Sequence, residues 1–275
     1  INDLPWSVDD AEDMESTLLK GNNFNSNNVR TCLDSQVTVS RFESEITNWL
    51  ANREDSNDIS IIYFAGHGTT IEDDDGDEDD DLDEAIVLFD GVLTDDDFKE
   101  ILDDSFDGKL IVIIESCYSG GMPSLSNNRK NINEQWKNSF ITNIEGENRV
   151  ILMAVEEDQT GMQITAGESR FNHGLFTFGI LSALNGAGDN NNDNDITVEE
   201  CYNYAKERCE ETQQIIFKKV TANPTIYTDS EELKNIKILK GIRNNPPDRP
   251  RKPSGPNDGL EVGKQYTYKT SVNDP

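Results

Sequence analysis

A thiol and an imidazole fifty residues apart each close an apolar run that breaks into glycines. Cys117 lies in Lys109-Leu-Ile-Val-Ile-Ile-Glu-Ser-Cys-Tyr-Ser-Gly-Gly121, and His67 in Ser60-Ile-Ile-Tyr-Phe-Ala-Gly-His-Gly68. A thiolate is a strong nucleophile and an imidazole titrates near neutrality, so the pair suits attack on an acyl carbon with proton transfer to the leaving group. Glu115, Ser116 and the Gly120-Gly121 pair beside Cys117 argue for an exposed thiol rather than a buried structural cysteine. The chain has two histidines, so the choice of partner is short. His173, in Phe171-Asn-His-Gly-Leu-Phe-Thr-Phe178, precedes an apolar helix-like run, where a capping or packing role suits it better.

The elements that must position this pair follow from the same runs. Leu110 to Ile114 is β-branched and apolar on both faces, as a strand buried within a parallel sheet requires. Ser60 to Ala65 has the same construction. If both are parallel members of one sheet, His67 and Cys117 emerge on one carboxyl edge, where open α/β folds place their chemistry. Ser7 to Leu19 reads as a helix with an acidic first turn, and Phe42, Ile46 and Trp49-Leu50 as the apolar stripe of a second. Ala85 to Asp90 reads as a strand, and Thr94-Asp-Asp-Asp97 as a capping box opening a helix that returns to the Cys117 strand in a β-α-β crossover. Arg149 to Ala154 is a third buried strand, and Gly174 to Leu184 a helix. Ile215 to Phe217 and Thr225 to Tyr227 are candidate edge strands. Met122 to Phe140, polar and Asn-rich, reads as a surface loop.

Tyr63-Phe-Ala-Gly-His-Gly68 and Glu115-Ser-Cys-Tyr-Ser-Gly-Gly121 together resemble the caspase, metacaspase and legumain group of cysteine peptidases, with the metacaspase-like branch nearest. The resemblance runs from Asn2 to Tyr227. It implies a caspase-like α/β fold, a three-layer sandwich around a mostly parallel sheet, with Cys117 as nucleophile and His67 as its acid/base partner. Its pattern places a further strand ahead of Asn2, so the first strand is expected to be missing. It also implies an oxyanion site at the backbone amides of Gly68 and Cys117, and an acidic pocket for the residue before the scissile bond. Glu115 and Asp10 match that pocket, with Asp9 the rival for the second position. Two carboxylates there favour cleavage after Arg or Lys. Arg129-Lys130 then becomes a candidate self-cleavage site, in a region where such chains are often cut. A legumain-like peptidase acting after Asn and a non-catalytic calcium-binding extracellular scaffold are the competing functions.

Composition narrows the partners. The 275 residues carry 54 acidic and 24 basic side chains, a formal net charge of −30. Such a surface repels nucleic acid and anionic membranes and attracts cations and basic peptides. No apolar run is long enough to span a bilayer. Four cysteines are too few for a disulfide framework, and Cys201 and Cys209, eight apart on one helix, would stand about 12 Å apart, too far to bridge.

Two stretches suggest calcium. Asp189, Asn191, Asp193, Asp195, Thr197 and Glu200 fall at positions 1, 3, 5, 7, 9 and 12 of an EF-hand loop, with the apolar Ile196 at position 8. Asn194 stands where Gly is usual, and Asn tolerates the left-handed conformation better than other residues with a side chain. The simpler alternative is an Asn/Asp-rich turn with a helix N-cap at Thr197. Glu72 to Glu84 is acidic except at Gly76 and Leu82 and reads either as a solvated loop or as an activating calcium site. The domain plan is a peptidase domain over 1–243 containing the 189–200 loop, a Pro-rich linker over 244–256, and over 257–275 the start of an immunoglobulin-like β-sandwich or a tail. The chain reads as cut at both ends, and the last segment suggests an extracellular or cell-surface protein.

Overall fold

The computed structural model describes residues 4, 6–73, 76, 81–118, 129–156, 164–166, 169–171, 173–217 and 224–241. The linker, the segment over 257–275, the Gly120-Gly121 turn and most of the acidic run lie outside these residues. In chain order the elements begin with α1 (Ser7–Leu18), α2 (Val39–Ser44, running on through a π turn at Glu45–Leu50), β1 (Ile59–Glu72), β2 (Leu82–Val87) and β3 (Val92–Thr94). Then follow α3 (Asp95–Ser105), β4 (Lys109–Tyr118), α4 (Arg129–Asn143), β5 (Arg149–Glu156), β6 (Ile164–Ala166) and β7 (Ser169–Phe171). The chain continues through α5 (Leu175–Ser182), β8 (Asp195–Thr197), α6 (Val198–Phe217), β9 (Thr225–Thr228) and β10 (Lys237–Lys240).

Among the described residues six strands form the central sheet, in the order β3-β2-β1-β4-β5-β9. Its heart, β1-β4-β5, is parallel, while β2, β3 and β9 join antiparallel at the flanks. The doubly apolar run in β4 is buried throughout, from Leu110 to Ile114. Ile111 and Ile113 pack with Met14 of α1, Phe176 and Ile180 of α5 and Ala205 of α6. Leu110, Val112 and Ile114 face the opposite layer, with Phe98 of α3 and Trp136 and Phe140 of α4. Burying each such side chain contributes about 1.5–3 kcal/mol, enough to fix which way the strand faces and hence the three-layer sandwich.

Three sequence expectations change. Ala85 to Asp90 is not a strand of a simple β-α-β unit: its core becomes β2, which turns back antiparallel onto β1, so the path from β1 to its parallel neighbour β4 runs through the β2-β3 hairpin and α3. The capping box does open α3, with Asp97 N donating to Thr94 Oγ1 at 3.1 Å. The expected surface loop contains α4, whose Trp136 and Phe140, one turn apart, are buried. Ile215 to Phe217 is the last turn of α6 rather than a strand. Finally, the outer side of β1 from Ile59 to Gly66 pairs with no strand among the described residues and lines a cavity of about 990 Å³ bordered by α1 and the helix over 39–50.

Candidate active site

Parallel pairing brings the candidate pair together. β1 and β4 run in register from Ile59↔Lys109 to Gly68↔Tyr118, and His67 is the register partner of Cys117. Their backbones therefore stand one strand spacing apart, about 4.8 Å. The strands are longer than the sequence suggests, because β1 continues past His67 to Glu72 in a hairpin with β2. The premise of exposure also needs correcting: Glu115 and Ser116 are buried, not solvent-facing. His67 is buried at 9 % exposure. Gly68 lies under the α4 indole, where a Cβ would come within 2.5 Å of Trp136 Cζ2, so a side chain at this position would press on the ring.

Asp10 and Glu115 come together at the N-terminus of α5. Glu115 lies two residues before Cys117 on β4, about 6.6 Å along the strand, and accepts hydrogen bonds from Phe176 N at 3.0 Å and Thr177 N at 2.7 Å. Asp10, fully buried on α1, accepts from Gly174 N at 3.1 Å and from His173 Nδ1 at 2.7 Å. These carboxylates satisfy the first-turn N–H groups that a helix leaves unpaired, and their charge complements the dipole. Gly174 permits the arrangement: a Cβ there would meet the Glu115 carboxyl at 2.3–2.5 Å. Thr177 also joins its hydroxyl to that of Tyr63, 2.7 Å away. Burial first, and then the Glu115 charge, push the Asp10 carboxyl up to about 7 against the bonds from His173 and Gly174. The Asp10 hydrogen bond, with the charges of Asp10, Asp13 and Asp9, raises His173. Burial, then Asp10 and Glu115, raise Tyr63. Of the two candidates on α1, Asp10 is the one that reaches the N-terminus of α5. Asp13, whose Oδ2 lies 3.2 Å from His173 Nε2, was missed; its place three residues after Asp10, on the same helix face, was the available signal.

The 189–200 loop is compact. Asn192 and Asn194 take left-handed conformations, with φ of 60° and 65°, the second at the usual glycine position. Asp189 accepts from Asp193 N and Asn194 N, Asn191 from Asp193 N, and Asp193 from Asp195 N. Thr197 and Glu200 form a reciprocal capping box at the start of α6: Glu200 N donates to Thr197 Oγ1 and Thr197 N to Glu200 Oε2. Lys237 of β10 lies 2.5 Å from Asp195 and 3.6 Å from Asp193, so a lysine ammonium already faces two of the six positions. Among the described residues no three His, Cys, Asp or Glu side chains converge on one point suited to a metal ion. The donor set is nonetheless all oxygen, as a hard cation prefers. At the described end of the acidic run, Asp83 and Glu84 are buried in β2 rather than solvated. Asp95, fully buried at the start of α3, is raised to about 8 by burial and by the Glu84 charge.

Two of the other cysteines lie far from such a setting. Cys201 and Cys209 are buried on α6, and burial pushes the Cys201 thiol up. Arg129 and Lys130 form the first turn of α4, so cutting there would require unwinding that turn into an extended substrate.

The sequence matches the caspase domain family over residues 1–233. Metacaspase-4 of Arabidopsis thaliana is 30% identical over 128 residues, covering 44% of this chain and 30% of that protein. Metacaspase-3 of the same plant is 23% identical over 203 residues, 67% of this chain and 56% of that protein. The matched stretch thus spans between about a third and just over half of these relatives. The crystal structure of protein GSU0716 from Geobacter sulfurreducens shares the fold, with a TM-score of 0.54 at 20% identity over 84% of this chain and 88% of that one.

Proposed function

The chain belongs to the caspase-domain family, a family of cysteine-type peptidases, and on that premise we propose that it hydrolyses peptide bonds through Cys117 and His67. The observation that carries the proposal is the register pairing of these residues on adjacent parallel strands. The Cys117 thiolate attacks the scissile carbonyl carbon while the His67 imidazolium gives its proton to the departing amine, leaving an acyl thioester. Water, deprotonated by His67, then attacks the thioester; the acid product leaves and the thiolate returns. The backbone amides of Gly68 and Cys117 serve the oxyanion in both steps.

Asp10 and Glu115 form the pocket for the residue before the scissile bond, and their charge selects Arg or Lys and rejects Asp. What supports this is their convergence beside the nucleophile strand, with both carboxylates buried. The net charge of −30 adds a general attraction for basic peptides. Matched Arg, Lys, Asn and Asp fluorogenic peptides test the assignment: kcat/KM is highest for Arg or Lys. Faster cleavage after Asn would transfer the chain to the legumain-like reading, and cleavage after Asp would remove the acidic pocket.

We further propose calcium as a ligand of Asp189, Asn191, Asp193, Asp195, Thr197 and Glu200. Binding there draws Glu200 out of its capping box and displaces Lys237, so the affinity is of the weak order found in extracellular modules, about 10⁻⁴–10⁻³ M. An extracellular or cell-surface setting supplies calcium at that level. Calcium dependence that survives loss of this loop belongs to the run from Glu72 to Glu84.

A further inference from the structure

His173 touches a carboxylate with each of its ring nitrogens: Nδ1 lies 2.7 Å from Asp10 and Nε2 3.2 Å from Asp13. A neutral imidazole has one N–H, so satisfying both carboxylates takes an extra proton, held by the ring or by an aspartate. The ring is also the outer member of the pair, its side chain 15% exposed against 1% for that of Asp10. Among the described residues no other basic side chain reaches Asp10 or Glu115. From these contacts we propose that His173 determines specificity: its protonated ring holds the seat on Asp10 that the guanidinium or ammonium of the substrate takes, so that a cation entering the pocket expels a proton from the cluster. The inference rests on the acidic-pocket reading above and names the internal competitor within it.

The groups around the ring all push one way. Asp9, Asp10 and Asp13 face it from α1, Glu115 from β4 acts on it through Asp10, and the Tyr63 hydroxyl from β1 lies within reach of the Asp10 charge. None is cationic, and the carboxylate charges favour the protonated cluster. Both partners of the buried pair are raised, and the cluster therefore keeps its proton into the neutral range and loses it as pH rises. Whichever atom carries that proton, its loss leaves one more negative charge facing the substrate cation. Affinity for Arg and Lys side chains accordingly rises with pH, by up to about tenfold per unit while one proton is being displaced. Reciprocity requires that a bound cation lower the titration midpoint of His173.

The test uses Cys117→Ala, which holds a peptide without consuming it. The His173 ring is titrated by NMR in the free protein, with a saturating Arg peptide and with its neutral citrulline isostere. Because the chain has two histidines, His173→Gln suffices to assign the signal. The Arg peptide is expected to lower the His173 midpoint by about one unit, equivalent to a tenfold linkage, and to bind more tightly as pH rises; the citrulline peptide does neither. Preferential binding of Arg over citrulline with an unmoved His173 titration would overturn the role of His173 and leave the pocket standing. Equal binding of Arg and citrulline would overturn the pocket and this inference with it.

Discussion

Replacing Gly174 by Ala isolates the contact that locks Glu115 to α5. The backbone there (φ −58°, ψ 148°) is open to any L-residue, so the substitution adds no conformational strain. The new Cβ would stand 2.3–2.5 Å from the Glu115 carboxyl, and one of them must give way by about 1 Å. If the carboxylate swings off, the Phe176 and Thr177 amides lose their acceptor while remaining buried. Hydrogen bonds to charged groups contribute about 1.5–3 kcal/mol each, so the loss should reach about 3–5 kcal/mol. Exchanging Gly for Ala at an N-cap adds about 1 kcal/mol. Urea unfolding should show the midpoint falling by about 1 M or more at the slopes usual for a domain of this size. In a Glu115→Ala background the same exchange should cost only the capping part, leaving a coupling of about 3–5 kcal/mol in the double-mutant cycle. The displaced carboxylate should also raise KM for Arg peptides more than it lowers kcat. Equal costs of Gly174→Ala in the two backgrounds would refute the reasoning, since the contact with Glu115 would then carry no energy.

Lys237→Met removes the internal cation at the 189–200 loop, so millimolar calcium should raise the thermal midpoint of this variant more than that of the parent, and chelation should reverse both shifts. Midpoints indifferent to calcium in both proteins would remove the loop from the list of calcium sites. The raised Asp95 carboxyl gives a pH dependence of definite sign: its contribution is complete below the ordinary value of 3.8 and is lost as pH rises through about 8. With chelator present, Asp95→Asn, which keeps the contact with Asn143, should flatten the decline in stability between pH 5 and 9 and be the more stable protein at pH 8; an unchanged slope would count against a buried, protonated Asp95.

The parts of the fold that were legible in the sequence are those with one strong signal each. The five-residue apolar run in β4 fixes a buried strand, and the acidic start of Ser7–Leu18 fixes α1, because burial and helix-end charge act locally. The adjacency of His67 and Cys117 followed from two strands of the same make. What escaped depended on partners distant in sequence. β1 runs on to Glu72 because β2 returns to pair with it, and β10 forms because β8 offers an edge. Helix α4 was hidden by polar residues: its inner face includes Lys137, 1% exposed beside Glu134, which no apolar count would place inside. Asp10 and Glu115 could be proposed as partners from motif position, but their engagement with α5, and the contact of Asp10 with His173, depend on a helix about sixty residues beyond Glu115.

The central claim is that Cys117 and His67 form one catalytic unit. It is tested most directly by the hydrolysis of an Arg fluorogenic peptide by Cys117→Ala and by His67→Ala, each verified as folded. Both should fall by about 10⁴-fold or more in kcat, and combining them should add little, because residues acting as a unit fail together. Hydrolysis that survives in either variant within tenfold of the parent, or losses that multiply in the double variant, would contradict the account.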